Sequence, residues 1–430
     1  MLFHSSLRKE LARSFGATLV VLVRRIRDLV QSDAGPSASG ECPSDLSGAC
    51  ISDKSGEDEV WLVAQDGSRP AEQLTTGGKA QRYAPEWSAD GKFIAFSDKD
   101  GKLYTVSLSD KKLTEVADSK RGQILDYTWS PKGNFLAFSM PDEQNLSSVY
   151  IWSTKENSLQ RVTGLQFSES NPAWDPKGNY LYYLSTREFA PLIGTSEFNY
   201  ATTRDTGIFV LSLRKDVKHP FPPESDEVAI TTESKKPEEA KPAPEFTIDF
   251  DGIEHRTAKV PVEANNYLGL SANGGNLIYA VGPSFYYGRS GDGPPTLRIF
   301  SLKDRKESQL AEGIGGFSLS ADGSKILVRM GPGFALMDAT PGGDKSRKPV
   351  STAGLFVDRV PEEEWRQIFN EVWRRYRDWF YVPNMHGYDW EAIRKQYEPL
   401  LKYVAHRSDL NYVISEMISE LTVQHARPQE

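Results

Sequence analysis

One ten-residue motif recurs along this chain and limits its possible folds more than any other feature. Clear copies occupy residues 87–96 (WSADGKFIAF), 129–138 (WSPKGNFLAF) and 174–183 (WDPKGNYLYY), so that their tryptophans lie about 45 residues apart. Weaker copies begin at Ser271 and Ser320. A fixed period of this length indicates a repeat architecture, in which each repeat is one small supersecondary unit.

Each copy of the motif predicts a β-hairpin. An aromatic residue ends one strand, an Asp-Gly or Lys-Gly pair supplies the positive φ of a tight turn, and an apolar segment forms a buried strand. Further strands are predicted at residues 60–64, 103–108, 149–153, 208–213, 297–302 and 334–338. Repeats of about 40–50 residues with about four short strands each are typical of a β-propeller. We therefore predict a mainly β fold, a β-propeller of about six visible blades, with an incomplete seven-bladed ring as the alternative.

The propeller is predicted to span residues 51–355 and to contain two irregular regions. Residues 215–243 are rich in Pro, Glu and Lys, which predicts a solvated insertion, with a docking segment for a partner as the alternative. The strand at residues 60–64 lacks the usual preceding turn, so the first blade is predicted to be incomplete. Residues 1–50 match no blade; a short apolar run followed by arginines favours an N-terminal helix there and leaves a signal peptide as the alternative.

Helical periodicity replaces the strand pattern after residue 355 and predicts a small, truncated helical subdomain over residues 356–430. Pro361, followed by three glutamates, predicts the first turn of its first helix. Ser408 is predicted as the N-cap of a third helix, and residues 384–387 (Asn-Met-His-Gly) predict a loop. Apolar residues recur at helical spacing at Trp365, Ile368, Phe369, Val372, Trp373, Tyr376, Trp379 and Phe380, and again at Leu410, Val413, Ile414, Met417, Ile418 and Leu421.

Composition and charge exclude several classes of function. The chain has 51 Lys and Arg against 59 Asp and Glu, and the net charge of −8 argues against nucleic acid as a partner. Its apolar runs are shorter than the roughly 20 residues that a membrane-spanning helix needs, so no membrane partner is predicted. Cys42, Cys50 and six scattered histidines form no metal-ligand spacing, and neither a metal nor a cofactor is expected.

Residue spacing alone identifies no catalytic motif. The chain contains no Gly-x-Ser-x-Gly turn and no phosphate-binding glycine loop. His425 follows the third predicted helix and His386 lies in the predicted loop, but a single histidine in either setting is usually a surface residue. The residue types themselves therefore do not identify a reaction.

Several stretches nevertheless resemble the tricorn core protease family of serine peptidases. The likeness covers about residues 51–425, and its Asp-x-Asp-Gly-Ile and Asn-Met-His-Gly stretches are the most specific parts. Besides the blade turns, the stretches that carry it are residues 55–59 (SGEDE), 73–78 (QLTTGG), 248–256 (IDFDGIEHR), 260–262 (VPV), 381–390 (YVPNMHGYDW), 406–412 (HRSDLNY) and 419–425 (SELTVQH).

The resemblance implies that the chain is a fragment covering the second propeller and the first core subdomain of such a protease. His425 then corresponds to the catalytic general base. The family's nucleophilic serine, its oxyanion hole and the carboxylate that orients the base belong to a second core subdomain outside this chain, so the chain alone is expected to be inactive. A truncated or frame-shifted reading of a longer gene is the accompanying hypothesis. The family also implies oligopeptide substrates, a homo-hexamer and a cytoplasmic location.

Two other hypotheses stay open at this point. A non-catalytic propeller scaffold that binds a protein or peptide through its central opening, with the helices as a docking tail, predicts that His425 is dispensable. A prolyl-oligopeptidase-like enzyme also has its propeller before its catalytic domain.

Overall fold

The computed structural model describes residues 47–64, 68–188, 192–193, 200–201, 204–221, 246–283, 293–353 and 360–422. The predictions for residues 1–46, for most of the insertion at 215–243 and for His425 fall outside these described residues. The chain divides into two compact units. The first comprises Met1–Gly77 and Arg82–Ala353, and the second comprises Gly78–Gln81 and Gly354–Glu430.

The strands of the first unit form the six blades of a β-propeller. The first blade contains β1 (Ser47–Ser52), β2 (Glu59–Ala64) and β3 (Glu72–Gln73). The second blade contains β4 (Glu86–Trp87), β5 (Phe93–Ser97), β6 (Lys102–Ser107) and β7 (Leu113–Asp118). The third blade contains β8 (Thr128–Trp129), β9 (Phe135–Pro141), β10 (Ser147–Ser153) and β11 (Ser158–Arg161). Neighbouring strands within each blade are antiparallel. The first blade has three strands among the described residues, whereas the second and third have four.

The last three blades each have four strands in one sheet. The fourth blade contains β12 (Glu169–Trp174), β13 (Tyr180–Ser185), β16 (Gly207–Ser212) and β17 (Thr257–Lys259). The fifth blade contains β18 (Tyr267–Ala272), β19 (Asn276–Val281), β20 (Thr296–Ser301) and β21 (Lys306–Glu312). The sixth blade contains β22 (Ile314–Leu319), β23 (Lys325–Met330), β24 (Gly333–Asp338) and β25 (Lys348–Val350). A separate hairpin, β14 (Leu192–Ile193) and β15 (Tyr200–Ala201), lies between β13 and β16 in the chain. The predicted mainly β propeller with six blades is confirmed.

The recurring motif forms the predicted turn with a left-handed glycine in four of its five copies; in the copy that begins at Ser271, Gly274 does not have positive φ. Gly91, Gly133, Gly178 and Gly323 all have φ between 69° and 73°, in the left-handed region that favours glycine. A serine at the start of the turn also bonds to the backbone beyond it: the Ser88 hydroxyl accepts the Phe93 N–H at 2.9 Å. The same bond recurs from Phe135 to Ser130 and from Lys325 to Ser320. The motif therefore specifies both the turn glycine and the side chain that fixes the turn.

Apolar cores fill the spaces between successive blades, and the motif tryptophans lie within them. Trp129 donates its indole N–H to the carbonyl of Glu86 at 3.1 Å, and Trp174 donates to Thr128 at 3.1 Å, in each case in the preceding blade. Each of five buried clusters contains residues of two successive blades, for example Val60 and Ile94, Leu103 and Leu136, Val149 and Leu181, Leu184 and Leu277, and Ile299 and Ile326. Each indole thus satisfies its polar atom while its ring contributes apolar area to a core.

Two buried glutamates occur in similar settings in different parts of the propeller. Glu59 accepts hydrogen bonds from the Thr75 hydroxyl at 2.6 Å and pairs with Arg82 at 2.7 Å. Glu169 pairs with Arg187, and its burial raises the pKa of the carboxyl because the charged form is penalised away from water. Both acids are at most 2% exposed. Buried charges require such partners, since an unpaired charge in the core is strongly destabilising.

The second unit contains three α-helices, α1 (Pro361–Trp379), α2 (Trp390–Tyr397) and α3 (Arg407–Ser419). Short 3-10 segments, Met385–Gly387 and Glu398–Tyr403, lie in the connections. The predicted start of α1 at Pro361 is confirmed, with three glutamates in the first turn where they face the positive end of the helix dipole. In the described part of the chain, the helices are too short or too polar to cross a membrane.

The structure differs from the predicted segment boundaries at two points. Strand β1 begins at Ser47, inside the segment 1–50 that was expected to match no blade, because its residues pair in continuous register with β2. Residues Gly78–Gln81 belong to the helical unit, although they lie between two propeller strands in sequence.

Candidate functional site

The helical unit leads to the predicted general base and is therefore described first. His425 itself lies outside the described residues, three positions beyond Thr422. The described geometry concerns the scaffold from which that histidine extends. The unit is organised around α3, whose end leads directly toward residue 425.

Two tryptophans join α1 to α2. The indole N–H of Trp373 donates to the carbonyl of Trp390 at 2.9 Å, and the indole N–H of Trp390 donates to the carbonyl of Trp373 at 3.0 Å. Both side chains are buried beside Phe369, which has no exposed surface. The reciprocal bonds satisfy the polar atoms of both indoles inside the core. Because each bond needs its own partner carbonyl, the two bonds together fix the orientation and the spacing of α1 and α2.

The apolar stripe of α1 is confirmed except at Trp379. That side chain is 46% exposed and is absent from the helical core, and its indole N–H donates instead to the Gln81 side-chain carbonyl at 2.8 Å. The backbone N–H of Gln81 donates to Asp378 at 2.9 Å, and Arg377 pairs with the other oxygen of Asp378 at 2.9 Å. Sequence reasoning missed this contact because Gln81 precedes Asp378 by nearly three hundred residues.

The predicted loop after α1 has an unusual backbone. Met385, His386 and Gly387 are consecutive residues with positive φ, at 49°, 57° and 84°. The Met385 side chain is buried in the helical core, whereas His386 is exposed and hydrogen-bonds through Nε2 to the Tyr381 hydroxyl at 2.5 Å. Phe380 packs against both rings. These contacts hold a strained loop in one conformation, and they assign His386 a structural role on the surface.

The predicted N-cap of α3 is wrong by two residues. The helix begins at Arg407, its N-cap is His406, and Ser408 lies within the first turn. The reason is the Asp409 carboxylate, which accepts the backbone N–H groups of His406 at 2.9 Å and Ala405 at 3.1 Å. This reciprocal capping box satisfies free N–H donors that a serine cap at 408 would leave unpaired.

The buried face of α3 is confirmed in full. Leu410, Val413, Ile414, Met417, Ile418 and Leu421 are all at most 8% exposed and pack in the core of the helical unit. Burying this face fixes the rotation of α3 about its own axis. It therefore also fixes the direction in which the chain leaves the helix.

Two tyrosines contact the chain immediately after α3. The Tyr397 hydroxyl donates to Glu420 Oε1 at 2.7 Å, and the Tyr388 hydroxyl lies 3.1 Å from Thr422 Oγ1. The bond to the Glu420 carboxylate raises the pKa of Tyr397 to about 12, because ionising the phenol would put two negative charges together. Together these four residues form what we call the exit clamp: Tyr388, Tyr397, Glu420 and Thr422.

The described residues contain no group of three or more His, Cys, Asp or Glu side chains able to hold a metal ion. Cys50 is half-buried, and burial raises the pKa of its thiol, which disfavours the reactive thiolate.

Comparison with protein families gives two matches in consecutive order. The tricorn protease second beta propeller domain matches residues 44–340, and the tricorn protease C1 domain matches residues 361–419. The first match alone covers more than half of the chain. The second contains the whole of each of the three helices.

Individual relatives agree with the family matches. Tricorn protease homolog 1 of Streptomyces coelicolor is 26% identical over 392 residues, which cover 87% of this chain and 37% of that protein. Tricorn protease of Thermoplasma volcanium is 24% identical over 361 residues, covering 80% and 33%. The crystal structure of the tricorn protease shares the fold, with a TM-score of 0.75 at 20% identity over 89% of this chain and 37% of that one. The chain thus spans only about a third of the length of these relatives.

Proposed function

The chain belongs to the tricorn protease family, and from that premise we propose that it forms the propeller and general-base part of a serine-type peptidase acting on oligopeptides. One observation carries the proposal: a second-propeller match is followed directly by a C1 match. The helical unit of that second match ends, in its described part, three residues before His425.

The proposed role of His425 is that of general base. In serine-type acyl transfer, a histidine takes the proton of the nucleophilic hydroxyl and later returns it to the leaving amine. The base works only with a nucleophile within hydrogen-bond reach. Because the family resemblance assigns the serine to another part of the protease, we expect the 430-residue chain to be inactive alone.

Substrates, assembly and location complete the proposal. The relatives carry the name protease, which supports peptides as the substrates of the complete assembly. By family resemblance, that assembly is a homo-hexamer in the cytoplasm. Size-exclusion chromatography with light scattering measures the assembly, and a mass other than that of six copies contradicts this part.

The test is a chimera with the Streptomyces coelicolor relative. Residues 44–430 of this chain replace the matching segment of that protein, and hydrolysis of a quenched fluorogenic oligopeptide library is measured. We expect no hydrolysis by the 430-residue chain alone and hydrolysis by the chimera. His425→Ala should lower kcat of the chimera by about 10²–10⁴-fold, the usual contribution of a general base.

Substituting a histidine elsewhere in the chain controls for any general effect of losing an imidazole. His255 lies in the propeller unit and is exposed, so His255→Ala should leave kcat unchanged. A smaller graft of residues 360–430 repeats the test if the larger chimera does not fold. Activity that survives His425→Ala would reject the proposed base and favour the propeller scaffold, whereas hydrolysis by the chain alone would show that the nucleophile lies within it.

A further inference from the structure

The turn that follows β18 contains the one Asn-Gly pair of the sequence, Asn273-Gly274. An asparagine followed by glycine is the pair most prone to deamidation, because glycine has no side chain to hinder attack by its own backbone nitrogen. Gly274 is exposed, and a Cβ built on it would meet nothing within 4 Å. The backbone at this point is therefore open to water.

The Asn273 side chain, in contrast, is only 7% exposed and is held by hydrogen bonds at both ends of its amide. Its Nδ2 donates to the carbonyl of Ala339 at 2.7 Å and to the carbonyl of Gly323 at 3.1 Å. Its Oδ1 accepts the backbone N–H groups of Asn276 at 3.0 Å and Gly275 at 3.3 Å, within its own turn. The fifth blade thus uses both amide hydrogens of Asn273 to bond to the sixth blade.

Two other copies of the motif carry aspartate at the position of Asn273. Asp90 accepts the Ser88 hydroxyl at 2.7 Å, and Asp322 accepts the Ser320 hydroxyl at 2.6 Å, each within its own turn. An ionised carboxylate can only accept hydrogen bonds. In place of Asn273 it would set a negative oxygen against two carbonyl oxygens of the sixth blade, and both bonds between the blades would be lost.

We propose that Asn273 is a deamidation site that the contact between the fifth and sixth blades protects, and that its product cannot restore this contact. In the reaction, the Gly274 nitrogen loses its proton and bonds to Asn273 Cγ, the bond from Cγ to Nδ2 breaks, and ammonia leaves with the proton. Water then opens the resulting cyclic imide to give aspartate or isoaspartate. Nδ2 must first release Ala339 and Gly323, so the reaction requires the two blades to separate locally.

The first test follows the reaction in the 430-residue chain at mildly alkaline pH, with and without urea. Peptide mapping by mass spectrometry measures conversion at Asn273, and Asn276, which no glycine follows, is the internal control. Conversion of Asn273 should be at least about ten-fold slower in the folded chain than in urea, because only molecules with separated blades react. Gly274→Ala should slow the reaction even in urea. This variant should fold, because Gly274 has no positive φ and an added Cβ has open space.

The second test asks whether the product restores the contact. Asn273→Asp carries the product side chain, and amide hydrogen exchange at Gly323 and Ala339 should accelerate by about ten-fold or more, because two hydrogen bonds between the blades are lost. Asn157→Asp is the matched control. It adds the same charge at an exposed position, where Oδ1 accepts the Trp152 indole N–H as a carboxylate also would.

The outcomes decide each part of the proposal separately. Equal conversion of Asn273 with and without urea would overturn protection by the blade contact, and conversion of Asn276 as fast as that of Asn273 would overturn the site. Unchanged exchange in Asn273→Asp would show that the product does restore the contact. If Asn273→Asp fails to fold while Asn157→Asp folds, the amide itself is required between the blades, which supports the proposal.

Discussion

At the scale of single residues, the turn glycines have the clearest consequence. Gly133 has φ of 73°, and a Cβ added there would lie 2.6 Å from Asp90 Oδ1 in the neighbouring blade. Gly133→Ala therefore combines backbone strain with a steric clash, and we expect a loss of about 1–3 kcal/mol in the free energy of unfolding. Urea denaturation followed by tryptophan fluorescence measures it. Gly164→Ala, where a Cβ meets nothing within 4 Å, should be nearly neutral, and equal losses at both sites would contradict this account.

A second prediction at this scale concerns how the burial of Glu169 makes folding stability depend on pH. Its folded-state pKa is raised by burial, so folding favours the protonated form; the stabilising contribution is present at low pH and is lost as pH rises through the folded-state pKa. The stability of the natural chain relative to Glu169→Gln should therefore increase as pH falls from 7.5 to 5.0. Urea denaturation at both values measures the difference.

Asp338 supplies the control for that pH experiment. Its bond to Lys325 holds the pKa of the carboxyl below the ordinary value of 3.8, so it stays ionised across the same pH window. The difference in stability between the natural chain and Asp338→Asn should thus stay constant from pH 7.5 to 5.0. If the stability of the natural chain relative to Glu169→Gln decreases as pH falls, or does not change, burial does not raise the pKa of Glu169.

At the scale of secondary-structure elements, the tryptophan contacts between blades are testable. Trp174→Phe keeps an aromatic ring in the core but removes the indole donor to Thr128, leaving a carbonyl with one partner fewer. We expect a loss of about 1 kcal/mol in the free energy of unfolding, which is the usual net contribution of one hydrogen bond. Trp152→Phe, whose indole bonds only to the Asn157 side chain within its own hairpin, should cost less.

The elements also show which features sequence could predict. Hairpins follow from local information, because residues 87–96 contain the aromatic, the turn glycine and the apolar strand together, and the helical stripes of α1 and α3 follow from periodicity. The reciprocal Trp373–Trp390 bonds and the left-handed Met385 and His386 were not predictable, since they depend on how elements pack. The N-cap of α3 was misplaced because Asp409, rather than Ser408, satisfies the free N–H groups. The role of His425 rests on resemblance alone, since no spacing identifies it.

At the scale of the whole molecule, the helical unit is discontinuous in sequence. Gly78–Gln81 complete it, and Gln81 accepts the Trp379 indole N–H at 2.8 Å. Gln81→Ala should lower the stability of the helical unit by about 1 kcal/mol, and a double-mutant cycle with Trp379→Phe should give a coupling energy of similar size. Hydrogen exchange at the end of α1 measures both.

A neighbouring residue provides the matched control for Gln81. Lys79 belongs to the same segment but is exposed, so Lys79→Ala should leave exchange in α1 unchanged. A coupling energy near zero between Gln81 and Trp379 would mean that their side-chain hydrogen bond contributes nothing to the stability of the helical unit.

The contact between Gln81 and Asp378 has a consequence for biosynthesis, because 297 positions separate the two residues. Ribosomes add about 5–20 residues per second, so Gln81 emerges roughly 15–60 seconds before its partner is made. Three short helices would otherwise close within microseconds to milliseconds from local contacts. Here the last hydrogen bonds of the helical unit must await translation of nearly the whole propeller, and a nascent chain arrested before α1 carries Gly78–Gln81 without the surface on which that segment folds.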